Sequence, residues 1–148
     1  MLGIFEVADR CFMIKQRAER ELRDNNIEEG SEEQKMASSD ALKDKIIKLG
    51  NKQKLSAVLK YSDHPDPEVR VTVAMTLAMI PTYDSGMALI PLLRDSDPMV
   101  RASAATAAAD IHAKHCEEYV KKLAFGDNDP TVRATAKEAF DRLKDSVV

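Results

Sequence analysis

Apolar residues in the second half of the chain recur at intervals of three and four, in short runs broken by polar turns. The runs also repeat over a longer distance. Val58, Leu89 and Val120 lie 31 residues apart, as do Ala57, Ala88 and Tyr119. Leu49, Ile80 and Ile111 step by 31, and Leu143 follows after 32. A fixed period of this size marks stacked supersecondary units. Each unit reads as two helices. The first is short: "KQKLSAVLKYS", "GMALIPLLRD" and "CEEYVKKLAF". The second follows as "PEVRVTVAMTLAMI", "PMVRASAATAAADI" and "PTVRATAKEAFDRL". The units predicted are 53–81, 85–112 and 115–146, with a partial unit at 39–52 in "ALKDKIIKLGNKQKL".

Every second helix opens on the same five residues, D-P-x-V-R, at 66–70, 97–101 and 129–133. Asp66, Asp97 and Asp129 suit the N-cap, where a carboxylate accepts a first-turn amide. Proline follows at N1, where its missing N–H removes no bond. Val69, Val100 and Val132 face inward, and Ala74, Leu77 and Ile80 continue that stripe at helical spacing. The extra residue of the last period falls near Gly126-Asp127, in a turn, where insertion is cheapest. Arg70, Arg101 and Arg133 admit two readings. They form an anion-binding row, or they pair with loop aspartates in a ladder from unit to unit; the ladder is the plainer reading.

The three motifs, the L-L or V-L pairs before them and the alanine-rich second helices resemble HEAT repeats. In particular they are similar to the short repeats of phycobilisome-lyase-type proteins. The resemblance covers residues 53–145 and extends weakly to about 39. It implies an all-α fold, an α-α superhelix: a short right-handed solenoid of about three helical hairpins plus an N-terminal amphipathic helix. Tetratricopeptide and ankyrin signatures are absent. The resemblance further implies that the second helices line a concave groove. The positions away from the inward stripe are then Val71, Met75 and Met79, followed by Ala102, Thr106 and Asp110, and by Ala134, Glu138 and Arg142. Such a groove runs from apolar and methionine-rich to polar, and methionines adapt to a partner helix or peptide.

Residues 1–24 read as an amphipathic helix, apolar at Ile4, Phe5, Ala8, Cys11 and Phe12 and mixed in charge beyond. Four placements suit it: over the exposed flank of the first unit, in the groove of the second helices in place of a partner, against another chain in a homo-oligomer, or on a membrane surface. Its polar face is not strongly basic, which disfavours the membrane. Residues 25–38 read as a polar, acidic linker ahead of a repeat domain at 39–148. Lys137, Glu138, Asp141, Arg142 and Lys144 give the last helix a polar exterior.

The net charge of −3 and pI near 5.7 argue against a grip on nucleic acid. Aromatic residues are 5% and tryptophan is absent, which favours helices over a sheet. The two cysteines, Cys11 and Cys116, form no CxxC pair, which fits a reducing, cytoplasmic setting. The first ten residues carry Glu6, Asp9 and Arg10, which spoils a secretory apolar core.

The strongest cluster of chemistry-bearing residues is "HAKHCEE", with His112, His115 and Cys116 at metal-ligand spacing if helical. The repeat register instead sets it in a turn between hairpins, where two histidines are unremarkable surface residues. HEAT-like metalloenzymes such as deoxyhypusine hydroxylase use His-Glu pairs, which this chain lacks. No nucleophile elbow or phosphate-binding glycine loop occurs. The expectation is therefore a non-catalytic module, without cofactor or metal, that binds a helix or peptide of another protein. The alternative is an enzyme or subunit of bilin-lyase-like or metal-dependent type.

Overall fold

The structure, a computed structural model, describes residues 32–146. The helix expected at 1–24 and the first part of the linker lie outside these residues. The described residues form seven α-helices and one 3-10 turn, with no strand among them. The chain divides into two compact units, Met1–Lys45 and Ile46–Val148. The first described element is α1, Glu32–Asn51. It begins inside the expected linker, so residues 32–38 are helical. Glu, Gln, Lys, Met and Ala are strong helix formers, and acidity alone did not make this stretch a connection.

The second unit holds three hairpins. Their first helices are α2 (Leu55–Leu59), α4 (Tyr83–Leu93) and α6 (Glu117–Gly126). Their second helices are α3 (Pro67–Leu77), α5 (Pro98–Asp110) and α7 (Pro130–Asp145). The fold is all-α, and successive hairpins stack in chain order. α5 lies between α3 and α7, and the second helices pack more extensively on each other than α4 does on α6. The second-helix layer is thus the more tightly packed layer of this unit.

Two sequence features build this layer. The caps form as the motif dictates: Asp66 accepts from the Glu68 amide at 2.9 Å. Asp97 accepts from Met99 and Val100 at 2.8 and 3.2 Å, and Asp129 from Thr131 and Val132 at 2.8 and 3.1 Å. Val69, Val100 and Val132 of these helices are all buried, as are Val58, Leu89 and Val120 of their own hairpins' first helices. In α5, Ala104, Ala105, Ala107, Ala108 and Ala109 are all buried. Only a methyl-sized side chain lets one helix be covered on several sides at ordinary packing density.

The first helices depart from their expected lengths. α2 is a single short turn, because backbone bonds from Tyr61 and Ser62 close tight turns on Val58 and Leu59. α4 starts three residues earlier than its apolar run, capped by Thr82, whose hydroxyl accepts from the Ser85 amide at 3.2 Å. Pro91 sits inside α4 and is exposed, so the carbonyl it leaves unpaired has access to water, and the helix ends two residues on. The turns between hairpins also differ. Gln53 and His112 adopt left-handed backbone, φ 57° and 51°, while Pro81 stands in the middle turn.

Thr76 is 1% exposed, and its Oγ1 has no hydrogen-bond partner. Its methyl group fills the space where a side chain on Gly50 would stand, so Gly50 lets α1 approach α3 here. A buried hydroxyl without a partner costs about 1–3 kcal/mol. Thr76→Val keeps the shape and removes that group. It is expected to stabilise the fold by about 1 kcal/mol in urea titrations; equal or lower stability would mean the hydroxyl is satisfied in solution.

Candidate functional site

The three motif arginines are built alike. Each lies one turn into its helix and turns back on the loop that precedes it. Arg70 Nη1 donates to the carbonyls of His64 and Pro65 at 2.7 and 3.2 Å. Arg101 does so to Asp95 and Ser96 at 2.8 and 3.0 Å, and Arg133 to Asp127 and Asn128 at 2.6 and 3.2 Å. The rest of the guanidinium reaches forward. Arg70 makes a two-pronged pair with Asp95, Nε–Oδ2 2.8 Å and Nη2–Oδ1 3.0 Å. Arg101 makes the same pair with Asp127, at 2.8 and 3.1 Å. Asp95 and Asp127 also accept from the amides of Asp97 and Asp129, both at 2.9 Å, which fixes each loop ahead of its cap.

The ladder explains the electrostatics. The hydrogen bond that Arg70 donates to Asp95 raises the pKa of Arg70, against the opposing pull of burial; the bond to Asp127 does the same for Arg101. Burial works against ionisation of Asp127. The Arg101 hydrogen bond, the Asp129 amide and the charges of Arg101 and Arg133 outweigh it, holding the carboxyl below the usual range. These arginines are therefore occupied structural groups at the first two positions. In the first hairpin His64 takes the place of the loop aspartate, its Nδ1 accepting from the Asp66 amide at 3.1 Å.

Clefts of about 480 and 410 Å³ lie beside these rungs, the first lined by Leu59, Arg70, Leu92 and Asp95 among others, the second by Leu93, Arg101, Tyr119 and Lys122. The forks of Arg70 and Arg101 are already filled by carboxylates, so neither cleft offers a ligand a free charged group from the ladder.

A third cleft, of about 380 Å³, opens on the second-helix layer. Met75, Ala102, Thr106 and Asp110 line it, four of the positions the resemblance pointed to. Ala78, Ser103, Ala107 and Thr135 complete it. These four were missed because one row per helix was read. A groove between helices is lined by the facing edges of both, and those edges include neighbours outside a single row. Met75 is 62% exposed and Met79 37%. Val71 is half-buried, and Ala102 is buried with only its edge at the groove.

The charged end of the row is not free as expected. Arg142 Nη2 donates to Asp110 Oδ1 at 2.7 Å, joining α5 and α7. Both side chains remain close to half exposed, at 45% and 43%, so the pair is weak and open to competition. Glu138 is exposed beside it on α7.

The histidine cluster does not converge. Cys116 is fully buried, donates to the Gly86 carbonyl at 3.2 Å, and burial pushes its thiol up to about 11. His115 stacks on Tyr83 at 4.4 Å and fills the space over Gly86 that a Cβ would need. His112 is exposed in the turn. Among the described residues no group of three His, Cys, Asp or Glu side chains is placed to hold a metal ion. No helix among them is long and apolar enough to cross a membrane.

No curated protein matches the chain in sequence. A family model described as HEAT repeats matches residues 86–148, which span the α4–α5 hairpin from Gly86 onward and the whole α6–α7 hairpin. The capped, arginine-clasped hairpins of residues 86–148 are HEAT repeats.

Proposed function

We propose that this chain is a binding module that holds a helix or peptide of another protein in the cleft between α3 and α5. HEAT repeats commonly serve as interaction scaffolds, which supports the class of function. The observation that carries the site is the cleft itself. It opens on the second-helix layer, lined by the exposed side chain of Met75 and by the small apolar residues Ala78, Ala102 and Ala107. Methionine supplies flexible apolar contact, and the small residues let a partner backbone approach closely. Thr106, Ser103 and Thr135 supply hydroxyls for orientation. Asp110 lines the cleft, and its pair with Arg142 can be exchanged for partner charges. No bond is made or broken.

Met75→Glu combined with Met79→Glu tests the proposal. Both side chains are exposed, so helicity and stability are expected to stay within about 0.5 kcal/mol of the parent. In affinity purification from the native host with quantitative mass spectrometry, the proteins recovered by the parent are expected to fall at least about tenfold, the equivalent of 1.4 kcal/mol. Unchanged recovery by a folded double variant would remove the cleft as the binding surface.

A further inference from the structure

The arginine ladder has a third rung with no aspartate on it. Arg133 is held as Arg70 and Arg101 are, its Nη1 clasped by two carbonyls of its own loop at 2.6 and 3.2 Å. In the two earlier hairpins the Nε–Nη2 edge of the same guanidinium receives a loop carboxylate through two bonds. At Arg133 no carboxylate among the described residues meets that edge. The side chain is only half exposed and its orientation is fixed, so the fork is already set for a planar oxyanion.

The groups around it decide what supplies the carboxylate. The face that carries Arg133 differs in character from its counterparts on the earlier helices: there Ala74 and Ala105 are fully buried, as is Ala109. Their counterparts on α7 are Lys137 and Asp141, both exposed. Arg133, Lys137, Asp141 and Lys144 share one helical face, three cations around one carboxylate. That face favours an acidic segment over a neutral one.

We propose that Arg133 is a carboxylate-binding site for an acidic segment of a partner protein. One Asp or Glu side chain takes the two-pronged pair that Asp95 and Asp127 make on the earlier rungs, and Lys137 and Lys144 attract the neighbouring acidic residues. The site is on a different surface from the α3–α5 cleft and stands whether or not that cleft binds.

The test follows the arginine Nε–Hε signals of the full 15N-labelled chain by NMR. Two compounds are titrated: acetate, and the acetylated, amidated peptide Asp-Ser-Asp-Pro-Met, which repeats residues 95–99 of this chain. The Arg133 signal is expected to move saturably with the peptide, half-saturating on the order of tens of millimolar, as one charge-assisted fork allows. Arg70 and Arg101 should stay in place. Acetate should bind several-fold more weakly, because it brings no second carboxylate for the lysines. Arg133→Lys keeps the charge and loses the fork. Followed through the backbone amides of α7, it should weaken the peptide at least about fivefold.

An immobile Arg133 signal overturns the proposal. So does movement matched by the exposed Arg94 and Arg142, which would mean general charge screening. Equal binding of acetate and peptide would overturn the protein segment as the ligand, leaving a bare carboxylate site. The Met75→Glu, Met79→Glu variant should titrate like the parent, so the two surfaces are read separately.

Discussion

Ala105→Glu is expected to unfold the second unit, while Thr106→Glu, one residue further along α5, leaves its stability nearly unchanged. Ala105 is fully buried in a helix flanked by α3 and α7. A glutamate there either carries a charge out of water without a partner or forces the helices apart. An uncompensated buried charge costs about 3–5 kcal/mol, and overpacking adds roughly 1–3. A chain of ordinary stability, about 5–15 kcal/mol, is left marginal or unfolded. Thr106 is exposed on the cleft, and the usual surface effect is within about 0.5 kcal/mol. Circular dichroism and urea titration of the two variants decide the matter. A folded Ala105→Glu chain within about 1 kcal/mol of the parent would mean that α5 is not enclosed by its neighbours.

Asp127→Ala is expected to cost about 3 kcal/mol, an effect well beyond that of a surface ion pair. The Asp127 side chain is 5% exposed and that of Arg101 16%. Removing the carboxylate strips two bonds from the Arg101 guanidinium and one from the Asp129 amide, and leaves a largely buried cation facing a void. The variant also has a signature in acid. The Asp127 carboxyl is held below its ordinary range in the folded chain, whereas an unfolded aspartate titrates near about 3.9. Its contribution is therefore complete above the unfolded value and is lost as the pH falls through the lower, folded one. Urea midpoints of the parent should decline over that window, and those of Asp127→Asn should decline less. Parallel acid limbs would show that this carboxylate is not a source of the pH dependence.

How much of this was legible follows from where the information sits. The motif residues act locally: a cap aspartate, an N1 proline and an inward valine take their roles from the helix they begin, so the sequence carries them openly. The ladder was readable as a pattern of arginines and loop aspartates. Its direction was not, because the pairing partner lies 25 or 26 residues ahead, and only the stacking of hairpins decides which aspartate is met. The cleft was half legible. Met75, Ala102, Thr106 and Asp110 lie on the row the family resemblance points to, while Ser103 and Thr135 enter through the approach of neighbouring helices. The Asp110–Arg142 pair was hidden for the same reason. The short α2 was misjudged because tight turns at Tyr61 and Ser62 override an apolar run that would support a longer helix.

The ladder bonds all run one way. The guanidinium groups of Arg70 and Arg101 each grip their own loop and lean on the aspartate of the hairpin after it, and neither leans backward. Damage to a loop aspartate therefore releases the arginine of the preceding hairpin, whose hold on its own loop then loosens in turn. A defect introduced at one joint is thus felt on both sides of it, by the arginine of the hairpin before and by the capping loop of the aspartate's own hairpin.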